Sequence, residues 1–224
     1  MKNLILFLSF TNAICLFGQK DSLQLGDAYL EDQLYFGITF NQLLNQPAGV
    51  IGSGFSYGIN AGYIRDFSIV KSGKVALGLG IGYAFDSLEH GFKVGNQNST
   101  IVLDVDPNIQ SRSSLTLHTL EFPLELRWRT STANRYKFWR IYSGIKISYN
   151  LKNTIEYTEN SILSSYNNIE RFNKVQYGLT FSAGYSTFNF NLYYGLTPLF
   201  KDANIGTKSI ETKVIKLGMV FYIL

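Results

Sequence analysis

The sequence predicts an all-β chain in which eight antiparallel strands close, up and down, into a barrel that spans a membrane. Three observations carry that prediction. Eight stretches alternate bulky apolar residues with small or polar ones, the period of a strand with two unlike faces. The gaps between them run long, short, long, short to the end of the chain. Finally, 46% of the 224 residues are hydrophobic and 15% aromatic, yet past the first residues no run is long enough for a membrane helix, which needs about 20 apolar residues.

At the N-terminus, Lys2 precedes an apolar run from Leu4 to Phe17, the arrangement of a secretory signal peptide. Residues 1–19 are assigned to that signal, with cleavage near Gly18 or Gln19. Cys15 would mark a lipoprotein, but Ile14 stands where a small residue should precede the modified cysteine. The mature chain then has no cysteine, hence no disulfide and no thiolate metal site. Residues 20–33, with Asp21, Asp27, Glu31 and Asp32, form a periplasmic lead-in, and residues 34–224 form the barrel domain.

Alternation places the first strand at residues 34–43, the second at 54–67, the third at 74–85 and the fourth at 115–129. The remaining four fall at 137–151, 174–186, 188–197 and 214–224. The third shows the pattern best: Val75, Leu77, Leu79, Ile81, Tyr83 and Phe85 alternate with Ala76, Gly78, Gly80, Gly82 and Ala84. Short turns at 69–73, 131–134 and 186–187 face the periplasm if the chain starts there, and both termini lie on that side. The longer connections, residues 44–53, 86–114, 152–173 and 198–213, then face outward.

A soluble lipocalin-like barrel is the rival fold. The contents of the two faces decide against it. The less greasy face carries Gly58, Asn60 and Gly62; Gly178, Thr180, Ser182 and Gly184; Asn189, Asn191 and Gly195. Small uncharged residues suit a narrow lumen, whereas the bulky sets overfill the interior of eight strands and must face lipid. Trp128 and Trp139 flank one short turn, where membrane-interface anchors belong. In the last strand Lys216, Gly218, Phe221 and Ile223 match the polar, glycine and hydrophobic positions of the C-terminal insertion signal of bacterial outer-membrane barrels, with Leu224 one residue beyond it.

The same phase turns Glu121, Glu125, Arg127 and Arg129 of the fourth strand into the lumen, with Arg140 and Lys146 of the fifth beside them. Carboxylates and cations can pair across neighbouring strands, and unpaired charges there would be costly. The cluster therefore reads as a salt-bridged plug before it reads as a gate or proton path. Pro123 removes a ladder donor and marks an expected bulge.

Other chemistry has less to stand on. His118 could share a strand face with Thr116 or Ser114, a hydroxyl–imidazole pair without an identifiable third partner. His90 falls in a long segment. Asp104 and Asp106 lack the spacing of a calcium loop, and the glycine repeats open no helix that could cradle a phosphate. A net charge of +4 without a basic run argues against nucleic acid.

Three stretches resemble the PorT-like outer-membrane β-barrel family of Bacteroidetes, in its small flavobacterial form. They are Asp27-Ala28-Tyr29-Leu30-Glu31-Asp32-Gln33-Leu34-Tyr35, then Leu120-Glu121-Phe122-Pro123-Leu124-Glu125-Leu126-Arg127-Trp128-Arg129, and Tyr142-Ser143-Gly144-Ile145-Lys146; the closing Gly218-Met219-Val220-Phe221-Tyr222-Ile223-Leu224 belongs with them. The resemblance implies a Gram-negative outer-membrane location and, for the family's namesake, a part in type IX secretion and gliding. The expectation is a monomeric, non-enzymatic barrel without cofactor or metal, an anchor or scaffold whose partners are outer-membrane lipid, the insertion machinery, and secretion or envelope proteins. A narrow pore or ligand-uptake barrel is the second reading, and a lipid-modifying enzyme using His118 the third.

Overall fold

In the computed structural model, residues 32–46, 54–90, 92–97, 100–105, 113–130, 138–159, 162–201, 203–205 and 208–223 are described. The expected signal peptide, nearly all of the lead-in, Asp106 and Leu224 lie outside these residues.

Among the described residues thirteen strands follow in order: β1 Gln33–Leu44, β2 Tyr57–Ser68, β3 Val75–His90, β4 Phe92–Gln97, β5 Thr100–Val105, β6 Ser113–Arg129 and β7 Trp139–Glu159. They continue with β8 Ile162–Asn167, β9 Val175–Tyr185, β10 Phe188–Gly195, β11 Asn204–Ile205, β12 Lys208–Ser209 and β13 Lys213–Ile223. Eight of them pair antiparallel in the order β6-β3-β2-β1-β13-β10-β9-β7, and β6 pairs with β7 to close the barrel. These are the eight strands that alternation predicts, and closure leaves no open edge in the wall.

The register fixes the tilt. From Trp139 the ladder passes through Tyr185, Phe188, Phe221, Phe36, Ala61, Tyr83 and Leu120 and returns to β7 at Tyr149, ten residues higher. A shift of ten over eight strands corresponds to strands inclined at about 40°.

Along β3 the outward Leu77, Leu79, Ile81 and Tyr83 are exposed, while Ala76, Gly78, Gly82 and Ala84 are buried or half-buried. Leu124, Leu126, Ile145, Ile147, Leu179, Phe190 and Met219 continue this exposed apolar belt around the wall. At the end bearing the long connections the outward residues turn polar: Ser87 and Glu89 on β3, His118, Thr116 and Ser114 on β6, Thr154 and Glu156 on β7. The apolar belt ends there, and the strands run on beyond it.

That extension corrects one expectation. Residues 86–114, 152–173 and 198–213 are not simply loops. β3 continues to His90, β6 begins at Ser113 and β7 runs to Glu159; β4 pairs with β5, β8 with the far end of β7, and β11 with β12. Leu43, Leu88, Leu115, Leu117, Ile155 and Tyr157 point inward there and pack with Ile169, Phe172, Leu199 and Phe200 from the connections. An apolar plug thus fills this end of the lumen. It forms because apolar side chains on the inner face have no lipid to meet and bury against one another instead.

A second correction concerns Pro123. The register shift on β6 lies between His118 and Thr119, where Leu151 and Lys152 of β7 both turn outward. At Pro123 the β6–β7 register is unbroken, and the β3–β6 ladder merely lapses at Gly80 and Ile81 before resuming at Gly82 in the same register. Proline has no N–H to give β3. Its ring takes the room left by Gly80, where an added Cβ would come 2.9 Å from Pro123 Cγ.

Candidate functional site

All six residues of the expected lumen cluster are buried: Glu121, Glu125, Arg127, Arg129, Arg140 and Lys146. Strict alternation on β6 and β7 sends them inward. Lys146 Nζ lies 2.7 Å from Glu121 Oε1, the cross-strand pairing expected from the sequence. Arg127 Nε donates to Glu125 Oε2 at 3.0 Å along the same strand.

Two carboxylates that the sequence reading left out complete the network. Asp66 on β2 accepts from Arg127 NH1 at 2.6 Å through Oδ1 and from Arg129 NH1 through Oδ2. Asp86 on β3 accepts from Lys216 Nζ at 2.6 Å through Oδ2 and from Asn41 Nδ2 at 2.8 Å through Oδ1. The signal that finds both is the same alternation, carried one step past Ile64 on β2 and past Ala84 on β3. Asp86 lies one residue beyond Phe85, where the alternation of bulky outward residues ends the expected strand, and β3 in fact continues through it to His90.

Asp66 and Arg127 belong to strands separated by β3, and the bare inner face of β3 lets them meet. A Cβ added at Gly78 would come 2.7 Å from Arg127 Cδ and 2.8 Å from its Nε, so the guanidinium stem lies directly on that glycine. The arginine then stacks 4.3 Å from the ring centroid of Tyr142, which in turn packs edge-on against Tyr222 at 5.5 Å. Such cation–π contacts gain strength away from water. Arg129 Nε donates to the Gly73 carbonyl oxygen at 3.0 Å, and Arg140 donates to the Ser186 carbonyl oxygen while lying 4.3 Å from the Phe138 ring centroid. The arginines therefore tie the lumen to two of the short turns.

Lys216, taken from sequence as the polar position of an insertion signal, is thus also a member of the lumen network. Gly218 lies where β13 meets β1 at Thr39, and Phe221 packs 5.3 Å from Phe188 and 6.5 Å from Phe36 on the outer wall, with Ile223 exposed beside them. Trp128 and Trp139 are exposed on the outer face next to the short-turn end, and Trp139 sits edge-on to Tyr185 at 5.5 Å. A second aromatic arc, unremarked in sequence, borders the other end of the belt. Phe40, Phe55, Tyr57, Phe85 and His118 follow one another at 5.3 to 6.3 Å between centroids.

Among the described residues two small cavities lie between the lumen side chains. One cavity of about 30 Å³ lies among Tyr35, Asn60, Glu121, Glu125 and Lys146, and another of about 20 Å³ among Asp86, Thr119, Tyr193 and Lys216. Each holds about one or two waters. His118 shares the outer face of β6 with Thr116 and Ser114, as expected, but its Nδ1 meets Tyr83 Oη at 2.5 Å rather than a carboxylate. His90 is the last residue of β3, buried beyond the belt. Among the described residues no group of three or more histidines, cysteines or carboxylates is placed to hold a metal.

A family model described as outer membrane protein beta-barrel domain matches residues 17–201. Among solved structures, the chain is similar to Ail, the attachment invasion locus protein of Yersinia pestis. The identity is 12% and the TM-score 0.35, over 85% of this chain and 96% of that one. No curated protein matches the sequence.

Proposed function

Because the chain belongs to the outer membrane protein beta-barrel domain family, we propose that it is a non-enzymatic anchor or scaffold at the outer membrane, serving envelope assembly or protein export through what it carries at its ends. The short turns and both termini face the periplasm in this reading, and the extended β3, β6 and β7 with their hairpins face outward. The single observation that carries it is the filled lumen. Lys146–Glu121, Lys216–Asp86 and Arg127–Asp66 ion pairs stand in series below an apolar plug, with cavities of only about 30 and 20 Å³ between them. A wall closed in this way displays surfaces more readily than it passes solutes. The PorT-like resemblance of the strand motifs supports an export role in particular.

Crosslinking in intact outer membranes followed by pull-down tests the scaffold. Recovery of defined envelope or secretion proteins, lost when the connection 91–112 is deleted, is the expected result; a barrel that crosslinks to nothing but lipid overturns it. The pore reading is tested separately in planar bilayers. Steady single-channel conductance from the folded barrel would replace the scaffold with a pore.

A further inference from the structure

The register shift on β6 brings together two basic side chains that alternation alone would separate. Below it, the even-numbered residues of β7 point inward: Arg140, Tyr142, Lys146, Ser148 and Asn150. Lys152 would follow them into the lumen. Instead Leu151 and Lys152 are both exposed, and Lys152 stands directly opposite His118 in the β6–β7 ladder. Bulges re-aim side chains in this way. This one is held from inside, where buried Asn150 donates through Nδ2 to the Lys152 carbonyl oxygen at 3.1 Å and accepts through Oδ1 from Asn153 Nδ2 at 2.9 Å.

His118 is held too. Tyr83 Oη lies 2.5 Å from Nδ1, and Phe85 packs edge-on against the ring at 5.3 Å. Where the phenol donates to Nδ1, the imidazole presents an N–H at Nε2, the edge turned away from Tyr83. Two hydrogen-bond donors placed opposite each other on an outer wall cannot satisfy one another. They are well matched to an anion lying between them.

The depth says which anion. On the belt side of the pair, Leu120, Tyr149 and Leu151 face outward; on the other side stand Thr116 and Thr154. His118 also closes the aromatic arc at the edge of the belt, the level at which rings sit among lipid headgroups. We propose that His118 Nε2 and Lys152 Nζ bind the phosphate of an anionic lipid headgroup, so that this side of the barrel carries a bound lipid. The site is independent of the scaffold role and requires only that the barrel stand in a bilayer.

The test uses the full folded chain in phosphatidylcholine nanodiscs doped with phosphatidylglycerol. Lipid retained on the barrel is counted by native mass spectrometry, and the His118 imidazole resonances are followed by NMR. The expected result is preferential retention of phosphatidylglycerol with a shift of the Nε2 resonance. Lys152→Gln lowers that preference about fivefold, as for one basic residue near a charged surface. His118→Ala with Lys152→Gln lowers it further, and Lys71→Ala at the short-turn end leaves it unchanged. If the double variant does not fold, Lys152→Gln, an exposed substitution, decides alone. Equal retention of the two lipids, or an unchanged preference in Lys152→Gln, overturns the proposal. So does inorganic phosphate that, in undoped nanodiscs, shifts His118 as far as the lipid does, since the site would then take free anions rather than headgroups.

Discussion

Asp66 and Arg127 meet at 2.6 Å with neither side chain reaching solvent, although they sit on strands that are not neighbours. The carboxylate serves a second guanidinium, that of Arg129, through its other oxygen. Asp66→Asn would leave two buried cations sharing only what remains of the network, and breaking a buried pair costs on the order of 3–5 kcal/mol. The expected outcome is a clear fall in the urea midpoint of the folded barrel, read from its electrophoretic mobility without boiling. Pairing Asp66→Asn with Arg127→Met should restore part of the loss. A double-mutant cycle with no coupling between the two sites would refute the assignment.

Lys146 and Glu121 stand at the centre of the filled lumen. Reversing one charge, Lys146→Glu, puts two carboxylates together and should both destabilise the barrel and raise its ionic leak in planar bilayers. The exchange Glu121→Lys with Lys146→Glu rebuilds the pair in mirror order. It should return leak and stability most of the way to those of the parent, and failure to do so would mean that the pair is not what closes this level.

Strand contact makes a different prediction at Gly144. A Cβ added there would overlap the Leu124 carbonyl oxygen of β6, which is backbone and cannot step aside. Gly144→Ala should cost about 1–3 kcal/mol, as overpacking does. At Gly54 the nearest atoms to an added Cβ are those of the Glu89 carboxylate, the far end of a flexible side chain. Gly54→Ala should change stability by less than about 0.5 kcal/mol. Equal effects in a denaturation series would contradict the register between β6 and β7.

His90 lies past the apolar belt, and burial pushes its pKa down from 6.5 to about 4, with a hydrogen bond from its imidazole to the Ser114 backbone carbonyl opposing only in part. The unfolded chain therefore takes up this proton first. Stability from the neutral imidazole is complete above about pH 6.5 and is lost as the pH falls through that value toward 4, by at most about 3 kcal/mol. Amide exchange at the paired ends of β3 and β6 should accelerate on going from pH 7 to pH 4.5, after correction for intrinsic rates. His90→Gln should remove that acceleration while leaving the belt strands unaffected.

Alternation over eight segments sufficed for the strands, their faces and the outer belt, because a period of two assigns each side chain to a face before any partner is known. It placed Glu121, Glu125, Arg127, Arg129, Arg140 and Lys146 in the lumen for the same reason. It stopped short where the pattern changed meaning. Leu88, Leu115 and Ile155 are apolar on the inner face, so a rule that equates greasy with outward ends its strands there.

What alternation cannot determine is which charge meets which. Asp66 reaches Arg127 because β3 between them is bare at Gly78, and Asp86 reaches Lys216 across the lumen because the ladder climbs ten residues in one circuit of the barrel. Both depend on closure and shear, which are properties of eight strands together. The outward turn of Lys152 toward His118 depends on one unpaired residue in a ladder, and no local pattern marks it. The sequence by itself thus determined the faces of the strands; the tertiary structure decided the partners, since a side chain's face follows from its own strand while its neighbour follows from how far the other strands have slid.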